Sequence, residues 1–222
     1  GQIEHSQDRR LENFLQNACS VTPDNSVVFV RGDGITFGMI YAQEVLDICT
    51  EIVPISPNLL QMRWYQNWLR NRYQNIDLSS ANPSDIIKNN SNVQFFASIG
   101  LMGDPAFSNQ MPPFVPYRAV WMKFIIDPKR DNFPVPTELE EEYWSSLESY
   151  MVPKKNTHPF LHSRTAEIWA TNQYAISLNV IASGYRSFGI PQRAEQLQLL
   201  ANLFLDGDIE TFWKQREMMQ SK

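Results

Sequence analysis

A chain of 222 residues, 43% hydrophobic and rich in rings (13 Phe, 8 Tyr, 6 Trp), can bury one sizeable core and lies near the upper size of a single domain. Its 19 Lys and Arg against 24 Asp and Glu leave a net charge of -5, and nucleic-acid binding needs clustered cations that displace counterions, so no nucleic-acid partner is expected. No apolar run approaches the roughly 20 residues of a spanning helix, and the N-terminus lacks a basic-then-apolar signal pattern.

Gly1 ahead of a polar segment, with no initiating Met, reads as the start of a piece excised from a longer chain. Ser6 can cap a helix with an apolar face of Leu11, Phe14, Leu15 and Ala18, which Pro23 to Asn25 would break. Residues 27–30 are continuously apolar and lead into Arg31, Gly32, Asp33 and Gly34, the pattern of a buried strand entering a tight turn. Helical spacing follows over residues 36–47, through Phe37, Ile40, Tyr41 and Val45.

The unit then repeats. Residues 51–55 read as a strand ending at Ser56, Pro57 and Asn58, and residues 60–73 as a helix with Trp64, Trp68 and Leu69 on one face. A helical turn over residues 84–89 precedes a third strand, residues 93–97, running toward Gly100 and Gly103. Strands joined through helices favour a parallel sheet with right-handed crossovers. Pro105, Pro112, Pro113 and Pro116 predict an irregular connection to an added strand within residues 119–126. Pro128, Pro134, Pro136 and Pro153 then flank a helix over residues 138–151, whose acidic start, Glu138 to Glu142, reads as solvated and dipole-complementing.

From Pro159 the chain reads as three helices, residues 163–187, 192–205 and 209–220, punctuated by Gly189-Ile190-Pro191 and Asp206-Gly207-Asp208. Tyr185, Gly189, Ala194 and Ala201 have the spacing of a single partial tetratricopeptide repeat. The expected fold is α/β, with a small, mostly parallel three- to four-stranded sheet, helices on its faces and a helical, partly tetratricopeptide-like tail. Its expected divisions are an α/β domain over residues 1–127, a Pro-rich linking or covering segment over 128–157, and a tail over 158–222 packed on that domain.

The Gly32-Asp33-Gly34-Ile35-Thr36 turn is the most chemically suggestive segment, because ligands collect at the carboxyl ends of strands and helix N-termini favour anions. It carries neither a Lys-Ser/Thr pair nor Gly-x-Gly-x-x-Gly, so both nucleotide fingerprints fail. A phosphatase aspartate would have a second acid two residues on, where Ile35 stands, and Asp33 or Thr36 serving as a helix cap is the favoured reading. Trp64, Tyr65 and Trp68 offer a sugar-stacking platform, although Trp64 and Trp68, four residues apart, are expected to pack in the core. His158 and His162 have the spacing of helical metal ligands, but Pro159 sets the first outside a helix, and no metal or cofactor is expected. Cys19 and Cys49 fit no zinc or redox motif; they read as small core thiols, with a disulfide as the alternative. No nucleophile and base announce themselves, so no catalytic residue is assigned.

Asp8-Arg9, Pro23, the strand at 27–30, Gly32-Asp33, Thr36-Phe37, Tyr41, Gln43-Glu44-Val45, Asn58-Leu59-Leu60 and Trp64-Tyr65 together form a recognisable pattern. It resembles the soluble C-terminal region of bacterial multi-spanning membrane proteins related to protein O-mannosyltransferases, which have the GT-C type of glycosyltransferase fold. The likeness is good over residues 23–69 and looser over 93–124, and it departs at Gly34-Ile35, where that family has Asn-Asp. The resemblance implies a parent that transfers a sugar from a lipid-linked donor at the outer face of a membrane, using an acid outside this chain.

The resulting expectation is an extracytoplasmic accessory domain, periplasmic or extracellular, that is not catalytic alone. Its partners would be the membrane-spanning part of its own parent chain and a glycan or protein acceptor, held at Asp33, Thr36, Asn58, Trp64 and Ser98. The alternatives are a free-standing phosphatase-like hydrolase using Asp33 and a protein-interaction module using the helical tail.

Overall fold

The computed structural model describes residues 10–118, 120–126, 135–151 and 165–220. The expectations for Ser6, Pro153, His158, Pro159 and His162 lie outside them. In chain order the elements are α1 (Arg10–Val21), β1 (Val27–Phe29), α2 (Asp33–Glu44), β2 (Val53–Ile55), a 3-10 turn (Leu59–Gln61), α3 (Arg63–Arg72), α4 (Pro83–Asn89) and β3 (Phe95–Ser98). Then come α5 (Ile99–Met102), α6 (Pro105–Ser108), β4 (Phe114–Tyr117), β5 (Trp121–Phe124), α7 (Pro136–Met151), α8 (Thr165–Ser187), α9 (Pro191–Leu205) and α10 (Ile209–Gln220). They fall in two compact units, one within Leu15–Val115 and Trp121–Asn132, the other within Gly1–Phe14, Pro116–Val120 and Phe133–Lys222.

The sheet has five strands in the order β2-β1-β3-β5-β4. Strand β1 pairs parallel with β2 and β3, and β3 pairs antiparallel with β5, so the sheet is mixed rather than the three- to four-stranded, mostly parallel one expected. The added strand was expected, but β4 was not, because Pro112, Pro113 and Pro116 argue against a strand. At the sheet edge a missing N–H costs nothing on the open side, and Pro116 is accommodated there.

Every residue of β1, β2 and β3 is buried, as their uninterrupted apolar runs predict for strands covered on both faces. Phe29 stacks on Phe95 at 6.1 Å and meets Phe107 and Phe124 edge-on at 5.7 and 6.3 Å. Trp121 Nε1–H donates to Thr22 Oγ1 at 2.7 Å, which ties β5 to the end of α1.

Two further differences involve α2 and the cysteines. Helix α2 begins at Asp33, three residues earlier than expected, so neither Asp33 nor Thr36 is its cap. Gly32 caps it at φ 94°, without a side-chain hydrogen bond. Cys49 lies not on a helix but in the turn after α2, where Asp47 and Cys49 adopt positive φ, and it is disulfide-bonded to Cys19 with a Cα–Cα distance of 5.2 Å. Both cysteines are half-buried, so the core-thiol expectation fails. Gln43 braces this turn from α2, donating to Cys49 O and Ile52 O at 2.7 and 2.6 Å while accepting from the Tyr73 hydroxyl at 2.6 Å.

In the other unit, α8 and α9 form an antiparallel hairpin closed at Gly189, and Gly207 separates α9 from α10; both glycines have positive φ, as the sequence punctuation predicts. Ala182, Ala194 and Ala201 are buried in this unit, where small side chains allow close helix packing. Rings from α7, α8, α9 and α10 fill the rest, including Tyr143, Trp144, Tyr174, Phe204 and Phe212.

Candidate functional site

Strands β1, β2 and β3 run the same way and end level: Phe29 lies opposite Ile55 on one side and Ala97 on the other. Their following residues therefore share one rim. The order β2-β1-β3 makes the gap between the tips of β1 and β3 the point where the chain's connections diverge, the usual ligand crevice of an open α/β sheet. Arg31, Gly32 and Asp33 leave β1 there, and Ser98 ends β3 beside it.

An ion pair spans this gap. Arg31 donates from Nη1 to Asp104 Oδ2 at 2.5 Å, linking the segment after β1 to the one after α5. Asp104 Oδ1 also accepts from the Ala106 amide at 2.9 Å as the N-cap of α6. The sequence reading missed this pair, although Asp104 directly before Pro105 is a helix-start signal. Asp33 is exposed in the first turn of α2, beside the open N–H groups of that helix start.

The other candidates divide by burial. Asn58 is exposed, just beyond β2. Thr36 is buried and its backbone N–H donates to Gly32 O at 3.0 Å, so this side chain belongs to the core rather than the rim surface. Ser98 is 1% exposed, and its hydroxyl has no hydrogen-bond partner among the described residues. The core expectation for Trp64 fails: it is 62% exposed, while Tyr65 and Leu69 supply the buried face of α3 and Trp68 is half-buried. Tyr65 accepts from the Ser56 amide at 2.9 Å and donates to Pro54 O at 3.3 Å, fastening α3 to the end of β2. Burial pushes its hydroxyl up to about 12, so it stays protonated.

A second polar constellation lies in the helical unit, inside the acidic run expected to be solvated. Glu140 is 6% exposed. It accepts from Trp144 Nε1–H at 2.9 Å, from the Tyr185 hydroxyl at 2.8 Å and from Arg193 Nε at 3.1 Å, and it pairs with Arg193 Nη2 as well. Burial alone would raise its carboxyl; the bonds from Arg193, Trp144 and Tyr185 outweigh that and hold it below the usual carboxylate value. With donors from α7, α8 and α9 already filling its lone pairs, Glu140 is a structural clamp. Its signal in the sequence was its place four residues before Trp144, on the face that buries Tyr143 and Leu147.

Among the described residues no group of three or more His, Cys, Asp or Glu is arranged to hold a metal. No described helix is long and apolar enough to cross a membrane. No curated protein and no solved structure matches the chain. The family model described as TMEM260-associated domain 2 matches residues 11–179, well over half of the sequence and the whole rim with it. By that match the chain belongs to the TMEM260-associated domain 2 family, which links it to TMEM260-related proteins.

Proposed function

We propose that this chain is a non-catalytic accessory domain of a membrane-embedded, glycosyltransferase-like protein, and that it holds or orients an acceptor on the extracytoplasmic side. The observation that carries the reading is the level ending of β1, β2 and β3, with Arg31, Gly32 and Asp33 at the diverging connection. Family membership and the likeness over residues 23–69 to the proteins related to O-mannosyltransferases support the parent's class. The Cys19–Cys49 disulfide fits an oxidising compartment, where such bonds persist. The membrane-spanning part of the same parent is the proposed neighbour.

Asp33, Asn58, Arg31 and Asp104 form the proposed acceptor surface, with carboxylates and an amide suited to hydroxyl and peptide N–H donors. The hydrolase alternative is disfavoured, because Ile35, where a phosphatase would carry its second acid, is fully buried. The test is calorimetry of the chain with soluble oligosaccharides and with a Ser/Thr-rich peptide. Asp33→Asn is expected to weaken binding of whichever acceptor binds by about tenfold, roughly one charge-assisted hydrogen bond, with no change in melting temperature. Turnover of a phosphoester or sugar nucleotide by the isolated chain, abolished by Asp33→Asn, would instead establish the hydrolase.

A further inference from the structure

Helix α2 is apolar on both sides. Ile35, Met39 and Ala42 face the core, yet Phe37, Tyr41 and Val45, four residues apart in succession, are 56, 48 and 63% exposed. A helix apolar all round is ordinarily covered all round. The open row runs about 12 Å, the rise of eight helical residues, which is the footprint of one crossing helix.

The charges around the row select what covers it. Asp33 opens the helix, Glu44 and Asp47 lie at its far end, and α2 contains no Lys or Arg. A lipid surface does not fit, because interfacial helices carry cations toward anionic headgroups and this one carries acids. A second copy does not fit either: antiparallel pairing sets Asp33 against Asp47, and parallel pairing sets each of them against its own copy. Within the chain, the end of α2 is already met by a cation, since Arg72 pairs with Glu44.

We infer that the outer face of α2 is a docking surface for a helix of another polypeptide segment, one with apolar residues at four-residue spacing and Lys or Arg at its ends. Phe37, Tyr41 and Val45 are the anchors, and Asp33 and Asp47 set the orientation by charge. This inference does not depend on the rim binding an acceptor.

The probes are two fluorescent helical peptides with the same leucine row, one flanked by Lys and the other by Glu, titrated with the full chain and followed by anisotropy. The Lys peptide is expected to bind about tenfold tighter than the Glu peptide. The Phe37→Ser/Val45→Ser double variant is expected to weaken the Lys peptide by about tenfold, and Asp47→Asn to narrow the gap between the peptides. These positions are exposed, so unchanged circular dichroism and melting would show that the fold is intact. Equal affinity for both peptides, or binding indifferent to the double variant, would overturn the inference. So would Phe37-dependent binding to anionic phosphatidylglycerol vesicles, or Phe37-dependent self-association in sedimentation, in place of peptide binding.

Discussion

Glu140 shows how a single residue can invert a reading by composition. A run of acids at a helix start suggests solvation, but helical geometry puts the second of them, Glu140, on the face carrying Tyr143 and Trp144, and the fold supplies Arg193 and Tyr185 to meet it. Glu140→Gln removes the charge that Arg193 needs, and denaturant unfolding should register a loss of about 3 kcal/mol, the low end for a broken buried pair. Because the folded carboxyl sits below its ordinary 4.5, the contribution is fully present above that value and is lost as pH falls through the lower, folded value. The stability gap between the native chain and Glu140→Gln should therefore be constant above pH 4.5 and shrink in more acid solution. Gly32 makes the complementary point in the backbone. Its φ of 94° and ψ of 144° are strained for any side chain, although nothing stands within 4 Å of an added Cβ. Gly32→Ala should lose about 2 kcal/mol in the same assay through conformation alone.

At the level of elements, apolar runs and glycine or proline punctuation located β1, β2, β3 and most helices, because continuous burial and chain breaks are written locally. What was not legible depended on partners. The start of α2 was misplaced because Gly-Asp-Gly resembles a turn, whereas a glycine at positive φ here serves as the cap. Strand β4 was missed because only its place at the sheet edge makes Pro116 tolerable. Of the rim candidates, Asp33 and Asn58 are accessible, while Thr36 and Ser98 are withdrawn into the core, a distinction that spacing cannot draw. Several residues that carry the family likeness have structural work: Gln43 holds the turn after α2, and Tyr65 holds the end of β2. The Cys19–Cys49 bond closes a separation of 30 residues between α1 and that turn. Removing it should cost about 3.6 kcal/mol by the loop-entropy relation, read as the difference between the native chain and Cys49→Ser in denaturant. A thiol assay in denaturant without reductant should find no free cysteine in the native chain.

For the whole molecule, family membership and the geometry of the sheet meet at one edge. An acidic chain with no described membrane-crossing helix belongs to the TMEM260-associated domain 2 family, and its parallel strands present their ends along one edge. The proposal that this edge serves an acceptor is most directly tested by amide chemical-shift mapping of the intact chain during titration with a Ser/Thr-rich peptide and with soluble oligosaccharides. The account predicts that one of these ligands moves the resonances of Arg31, Gly32, Asp33, Asn58 and Asp104 first and furthest, with the response suppressed in Asp33→Asn. Saturable binding that leaves those five resonances still and perturbs residues elsewhere would contradict it.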